Sequence, residues 1–217
     1  MKKLYLNYGC GLCAPENWVN FDSSPNLRLE RLPIVGFLYA GHKADTPGKL
    51  IKKRYPNHIR YGDIVRGLPI PYNSCGGIYA SHILEHLSLS DFRLALANTL
   101  SYLDTDGIFR LVVPDLEVLI QRYVSDNSPE ASIRFLRSCG LGKEYRSKGL
   151  KSFLYDFLAN SAHLWMWDYK SLEDELIKSG FSSVRRAFFN DSVDTKFIEV
   201  EQQDRFTDAI AIEALKK

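Results

Sequence analysis

Short strand-like runs that stop at glycine, an acid or proline alternate with helix-like runs, and this alternation constrains the fold most. It favours α/β layers around a largely parallel sheet. Lys3 to Tyr8 reads as a first strand ending at Gly9-Cys10-Gly11, and Trp18 to Phe21 as a second ending at Asp22. Arg60 to Ile64 is a weak third, Gly77 to Ser81 a buried fourth, and Ile108 to Val113 a fifth stopped by Pro114-Asp115. Asp104 to Gly107 reads as a turn. Val184 to Phe189 and Asp208 to Leu215 close the sheet, the latter with the alternation of a half-exposed antiparallel strand. Helices are predicted over Asp91–Leu103, Leu116–Tyr123 and Ser171–Ser179, the last capped by Ser171 or Asp168 and stopped by Gly180.

The 217 residues are 45% apolar and 25% charged, enough to bury a core as one domain over 1–217. Two stretches, about 23–58 and 117–167, exceed ordinary connections and suit a lid or acceptor-binding region. With 28 basic against 26 acidic side chains, a net +2, the chain does not read as a dedicated nucleic-acid binder. No run approaches the roughly 18–20 apolar residues that span a bilayer. Met1-Lys2-Lys3 leads into no signal-peptide core, and four cysteines make no disulfide framework, so a cytoplasmic setting is expected.

A Gly-x-Gly at a strand end lets a ligand approach the backbone where a side chain would collide. Asp22 closes the second strand, where a carboxylate accepts from ribose hydroxyls; Asp63 closes the third, where it accepts from an adenine amine. Taken singly each is a turn glycine or a solvated strand end; together, at one sheet edge, they fit a nucleoside.

Leu6-Asn7-Tyr8-Gly9-Cys10-Gly11, Trp18-Val19-Asn20-Phe21-Asp22, Gly62-Asp63, Leu68-Pro69-Ile70-Pro71, Tyr79-Ala80-Ser81-His82-Ile83-Leu84-Glu85-His86-Leu87 and Gly107–Asp115 resemble class I S-adenosylmethionine-dependent methyltransferases, in particular the small bacterial-type methyltransferase domain group. The likeness covers Leu4 to about Glu117 and resumes at His163 to Phe181 and the closing strands. It implies a Rossmann-like seven-stranded sheet in the order 3-2-1-4-5-7-6, strand 7 antiparallel, with helices on both faces. It implies S-adenosylmethionine as cosubstrate, with Asn7, Gly9, Cys10 and Gly11 along its methionine part and Asp22 on the ribose. Asp63 and Ile64 would meet the adenine, and Ser81 and His82 the methyl-donor centre. The chain departs from the group where many members carry an acid and it has Asn7, and in a connection of about ten residues from Gly9 to Val19, short for a crossover helix.

The resemblance implies methyl transfer to a small-molecule or glycan-type acceptor, with His82 the candidate general base and His86 and His163 in reserve. A silent nucleoside-binding module is the first rival. A nicotinamide oxidoreductase is the second, disfavoured because Ala14 stands at the third glycine place and no long helix follows. His82-Ile83-Leu84-Glu85-His86 also spells H-x-x-E-H, the inverted zinc-protease pattern, which needs a long helix and a third ligand such as Glu117 or Glu130. Neither it nor Cys10-x-x-Cys13 makes a metal site expected. Leu32 to Ala40 is apolar and His42 to Arg60 holds six Lys/Arg against Asp45, so 32–60 suits a packed hydrophobic insert followed by a solvated basic loop, or a lid that touches an anionic acceptor or a membrane surface. In His163–Tyr169 the aromatics could roof an acceptor pocket, while Leu164 and Met166 read as core.

Overall fold

The computed structural model describes residues 3–33, 42–46, 49–52, 54–142 and 162–217, with the backbone alone in 42–46 and 49–52. Most of the apolar run 32–40 and Lys53 of the basic stretch lie outside the described residues. Seven strands make the main sheet: β1 (Leu4–Tyr8), β2 (Val19–Asp22), β5 (Arg60–Tyr61), β6 (Cys75–Ser81), β7 (Leu103–Pro114), β8 (Ser182–Ala187) and β9 (Ala209–Leu215). Their order is β5-β2-β1-β6-β7-β9-β8. Counted within this sheet, that is the expected 3-2-1-4-5-7-6. β1, β2, β5, β6 and β7 pair in parallel, and β9 pairs antiparallel with both β7 and β8. The fold is therefore α/β and Rossmann-like, a mostly parallel sheet with helical segments on both faces.

One face is covered by α2 (Leu89–Tyr102) and α5 (Tyr169–Lys178). Ser88 caps α2 by accepting the Asp91 N–H at 3.2 Å, and Asp168 caps α5 by accepting from Ser171 at 2.8 Å. Ser171 is thus the bonded partner and Asp168 the cap. Phe92, Ala95 and Leu96 of α2 and Leu172 and Leu176 of α5 are fully buried against Leu6, Ile78, Leu111 and Ile212 of the sheet. Each large apolar side chain so buried contributes about 1.5–3 kcal/mol. A bidentate Arg93–Glu175 pair, with contacts of 2.9 and 2.6 Å, ties the two helices together.

The opposite face is covered differently. No helix joins β1 to β2; residues 9–18 make only turns. The chain between β8 and β9 fills the gap with 3-10 turns at Thr195–Glu199 and Gln203–Phe206. Phe197 and Val200 pack there on Trp18, Tyr79, Val112 and Ala211. This cover buries the central residues of β9 on both sides, so the expected half-exposed strand is corrected. Its Glu213, 5% exposed, accepts from buried Arg110, which also meets Glu201 and Asp191.

Other boundaries move as well. Asp104–Gly107 lies within β7 and not in a separate turn, with a register shift beside it and Asp106 at φ +61°. The third strand is two residues long. The first long stretch forms α1 (Pro25–Arg31) and an antiparallel pair, β3 (His42–Thr46) with β4 (Lys49–Lys52). The second contains α3 (Leu116–Ser125) and α4 (Ala131–Ser138). Leu164 is 59% exposed, while Trp167 buries itself on Phe92, correcting the core reading of Leu164. Among the described residues no helix is long and apolar enough to cross a membrane.

Acid stability follows from the ion pairs. Arg93 holds the Glu175 carboxyl below its ordinary value of 4.5. At Asp191 burial pushes the carboxyl upward, but Arg185, the Phe188 backbone and Arg110 hold it below 3.8. Their stabilisation is complete above those ordinary values and is lost as pH falls through the lower folded ones. Burial raises Glu201 against Asn190 and Arg110, and that group contributes with the opposite sign. The urea midpoint is expected to fall between about pH 5 and pH 3, and Glu175→Gln should flatten that fall. An unchanged slope in the variant would contradict the assignment.

Candidate functional site

Parallel register aligns the carboxyl ends of three strands: Tyr8 pairs with Phe21, and Asn7 with both Asn20 and Tyr79. Ligands in open α/β sheets bind at such an edge. A cavity of about 300 Å³ opens there, at the small end of ligand pockets. Asn7, Gly9, Cys10, Gly11, Asp22, Ser81, His82 and His86 all line it.

The two loop glycines do different work. Gly9 has φ +64°, and a Cβ there would lie 2.6 Å from Ile83 Cγ1. Gly11 has φ +54°, and a Cβ there would meet nothing within 4 Å. Gly9 therefore allows the loop to pack on the turn after β6, whereas Gly11 leaves open space. Gly9→Ala is expected to destabilise by about 2–4 kcal/mol from left-handed strain and overpacking. Gly11→Leu should cost stability only through strain while filling the cavity. Thermal melts of both variants check the contrast, and equal losses would contradict it.

Asp22, 6% exposed, fastens the loop: Oδ2 accepts the Gly11 N–H at 2.9 Å and Oδ1 the Ser24 N–H at 2.8 Å. Each oxygen retains a lone pair for a further donor. Asn7 donates to the Cys13 carbonyl at 2.8 Å and to Asn20 Oδ1 at 3.2 Å, so a neutral amide ties β1 to β2 where an acid is common. Inside the cavity wall, the buried Tyr79 hydroxyl and Ser81 Oγ face each other outside good hydrogen-bond geometry, and neither has another partner. Unsatisfied buried hydroxyls call for a polar guest.

Asp63 and Ile64 are not brought to this cavity. Asp63 Oδ1 accepts the Val65 N–H at 3.0 Å, closing its own turn, and Ile64 packs in the core. That end is walled by Ser23, Ser24, Pro25, Asn26 and Tyr55. Burial pushes the Tyr55 hydroxyl up to about 12, and it lies 3.1 Å from Ser24 Oγ.

Residues that sequence reasoning missed come from the cover between β8 and β9: Val200, Gln202 and Arg205. Among the described residues the Arg205 guanidinium has no hydrogen bond or ion pair, and its charge lowers the Cys13 thiol against the larger effect of burial. The one available signal was the short Gly9–Val19 connection, which leaves a sheet face for another segment to cover.

The histidines meet here too. His82 has φ +52°, an uncommon backbone for a non-glycine residue, immediately after β6. Its Nε2 lies 2.8 Å from the Arg205 carbonyl oxygen, which only accepts, so Nε2 is the donor. Its Nδ1 lies 3.4 Å from Glu85 Oε1. His86 and His163 rings stand 5.0 Å apart. Burial holds the His163 imidazole below its ordinary value, opposed by Glu85 and aided by His86. Glu85 and His86 lie on a three-residue 3-10 turn, Leu84–His86, not on the long helix a zinc protease needs. Glu117 and Glu130 face Lys170 and Arg134 instead. Cys10 and Cys13 form no disulfide.

No family model matches the sequence, and no match to a curated protein reaches significance. Solved structures do match. A SAM-dependent methyltransferase from Archaeoglobus fulgidus is 18% identical, with 99% of this chain and 86% of that one covered and a TM-score of 0.51. The YcgJ protein from Bacillus subtilis is 14% identical over 100% and 92% of the chains, with a TM-score of 0.48. CurJ carbon methyltransferase is 12% identical at a TM-score of 0.47; 98% of this chain is covered and 48% of CurJ, so the chain spans about half of it. At such identities the likeness to the Archaeoglobus protein shows the fold, which is methyltransferase-like.

Proposed function

We propose that the protein is an S-adenosylmethionine-dependent methyltransferase acting on a small-molecule or glycan-type acceptor. The observation that carries this reading is the joint presence, in one cavity, of side-chain-free space at Gly11, the Asp22 carboxylate and the Tyr79 and Ser81 hydroxyls, which have no partner beyond each other. When bound, the cosubstrate supplies a methyl group on a cationic sulfur. The chain's own part is positioning and exclusion of water, which can supply most of the barrier reduction. Asp22 would accept from the ribose through its remaining lone pairs. Gly9, Cys10 and Gly11 would flank the methionine part, and Tyr55 with Ser23–Asn26 would enclose the base in place of Asp63 and Ile64. Ser81 and His82 stand at the donor centre, and the Arg205 guanidinium suits an anionic group at the cavity mouth. A dinucleotide fits less well, because its pyrophosphate rests on a helix N-terminus and no helix follows Gly11 before β2.

One observation favours a catalytically silent binder: His82 Nε2 is committed to Arg205, and Nδ1 faces Glu85, so neither nitrogen is open as a base. Transfer of labelled methyl to a panel of phenols, hydroxy acids and oligosaccharides tests the choice. Acceptor-dependent release of S-adenosylhomocysteine, abolished in Asp22→Ala, is expected. Cosubstrate binding without turnover on any acceptor would favour the silent reading.

A further inference from the structure

Glu85, His86 and His163 form a cluster that the methyl-transfer reading leaves unused. One potential ligand atom from each lies within 4.8 Å of the others. Glu85 is 1% exposed, and neither carboxylate oxygen has a hydrogen-bond partner. Its one ion-pair neighbour among the described residues is His82, at 3.4 Å and outside hydrogen-bond geometry. A buried carboxylate left in this state is costly unless a cation joins it.

The imidazoles are oriented for the same purpose. His86 Nδ1 lies 3.0 Å from the Ala162 carbonyl oxygen and must donate to it, which leaves Nε2 with its lone pair. The His163 Nδ1 is buried without a hydrogen-bond partner. A backbone carbonyl that fixes one ring nitrogen and frees the other is the usual support of a metal-binding histidine. The backbone fixes the placement: the N–H groups of Leu164 and Trp165 both reach the Glu85 carbonyl, at 2.8 and 3.1 Å. His163 N–H reaches Gly140 O at 3.2 Å.

We propose that Glu85, His86 and His163 bind one divalent first-row transition cation of the zinc type. Two imidazoles and a carboxylate are a donor set such ions accept, with a coordination position left open. Bonds of about 2.0–2.1 Å bring tetrahedral ligand atoms to about 3.4 Å from one another, so the three side chains draw together on binding. His82 and His86 also line the cavity, which sets the ion at its edge beside the donor centre. The H-x-x-E-H string thus contributes its Glu and second His, and the third ligand comes from His163, not Glu117 or Glu130. The site does not depend on S-adenosylmethionine, so its failure and that of the methyltransferase reading are separate results.

The test uses the full chain, stripped with a chelator, dialysed and titrated with zinc chloride by calorimetry, then with cobalt(II) by visible absorption. One equivalent per chain is expected, with a cobalt d–d spectrum free of a thiolate charge-transfer band. His163→Ala and Glu85→Gln should each weaken zinc by more than about 100-fold, beyond the effect of losing an outer-shell partner. Glu85→Gln is nearly isosteric and removes a buried charge, so its metal-free melting temperature should not fall; it decides the matter if His163→Ala does not fold. No binding of either metal, undiminished binding in Glu85→Gln, or a thiolate band pointing to Cys10 and Cys13 would overturn the proposal.

Discussion

Replacing Asp22 with Ala is expected to weaken S-adenosylmethionine binding by roughly 100-fold or more, the equivalent of two hydrogen bonds to a charged acceptor. The carboxylate closes β2 at the cavity, where the proposed reading puts the ribose within its reach, and also binds the N–H groups of Gly11 and Ser24. The substitution therefore removes a ligand contact and loosens the loop that shapes the cavity. The Gly11 and Ser24 N–H groups lie in half-buried turns that can relax toward water, so the melting temperature should drop only modestly. Isothermal titration beside a thermal melt separates the two effects. Unchanged affinity would show that Asp22 serves only its own loop.

Arg110→Met is expected to destabilise the chain by about 3–5 kcal/mol, because removing one partner strands the others. The Arg110 side chain is 2% exposed, and the Glu201 and Glu213 side chains it neutralises are 0% and 7% exposed. Arg185 can still reach Glu213 and Asp191, but Glu201 keeps only the Asn190 N–H. For a chain of this length the loss corresponds to a fall in melting temperature of roughly 6–20 °C. Adding Glu201→Gln and Glu213→Gln removes the stranded charges and should recover much of it. Glu201 leads directly into Gln202 and Arg205, so the single variant should also bind cosubstrate less tightly. A melt within 2 °C of wild type, about 1 kcal/mol or less, would contradict this account of the network.

The parts of the fold punctuated by local chemistry were legible in the sequence. Gly9-Cys10-Gly11, Asp22 and Ser81-His82 mark strand ends because each changes backbone freedom or polarity where an apolar run stops, and the structure sets all three around one cavity. Asp63 carried the same signal but not the same place, since a two-residue β5 leaves it inside a turn that its own side chain closes. What depends on distant contacts was not legible. Arg205 reaches His82 across 123 residues, and His163 is brought beside Glu85 and His86 by the Leu164 and Trp165 N–H bonds to the Glu85 carbonyl, from a segment with no periodic pattern. Glu213 looked like the exposed position of an alternating strand; its burial is set by Arg110 and by the cover that replaces a crossover helix.

Calorimetric titration of the wild-type chain with S-adenosylmethionine, S-adenosylhomocysteine and NAD tests the cavity's identity most directly. One equivalent of each sulfur nucleoside should bind in the micromolar range, roughly −8 kcal/mol, with no heat from NAD. Absence of heat with both sulfur nucleosides, or equal binding of NAD, would contradict the account.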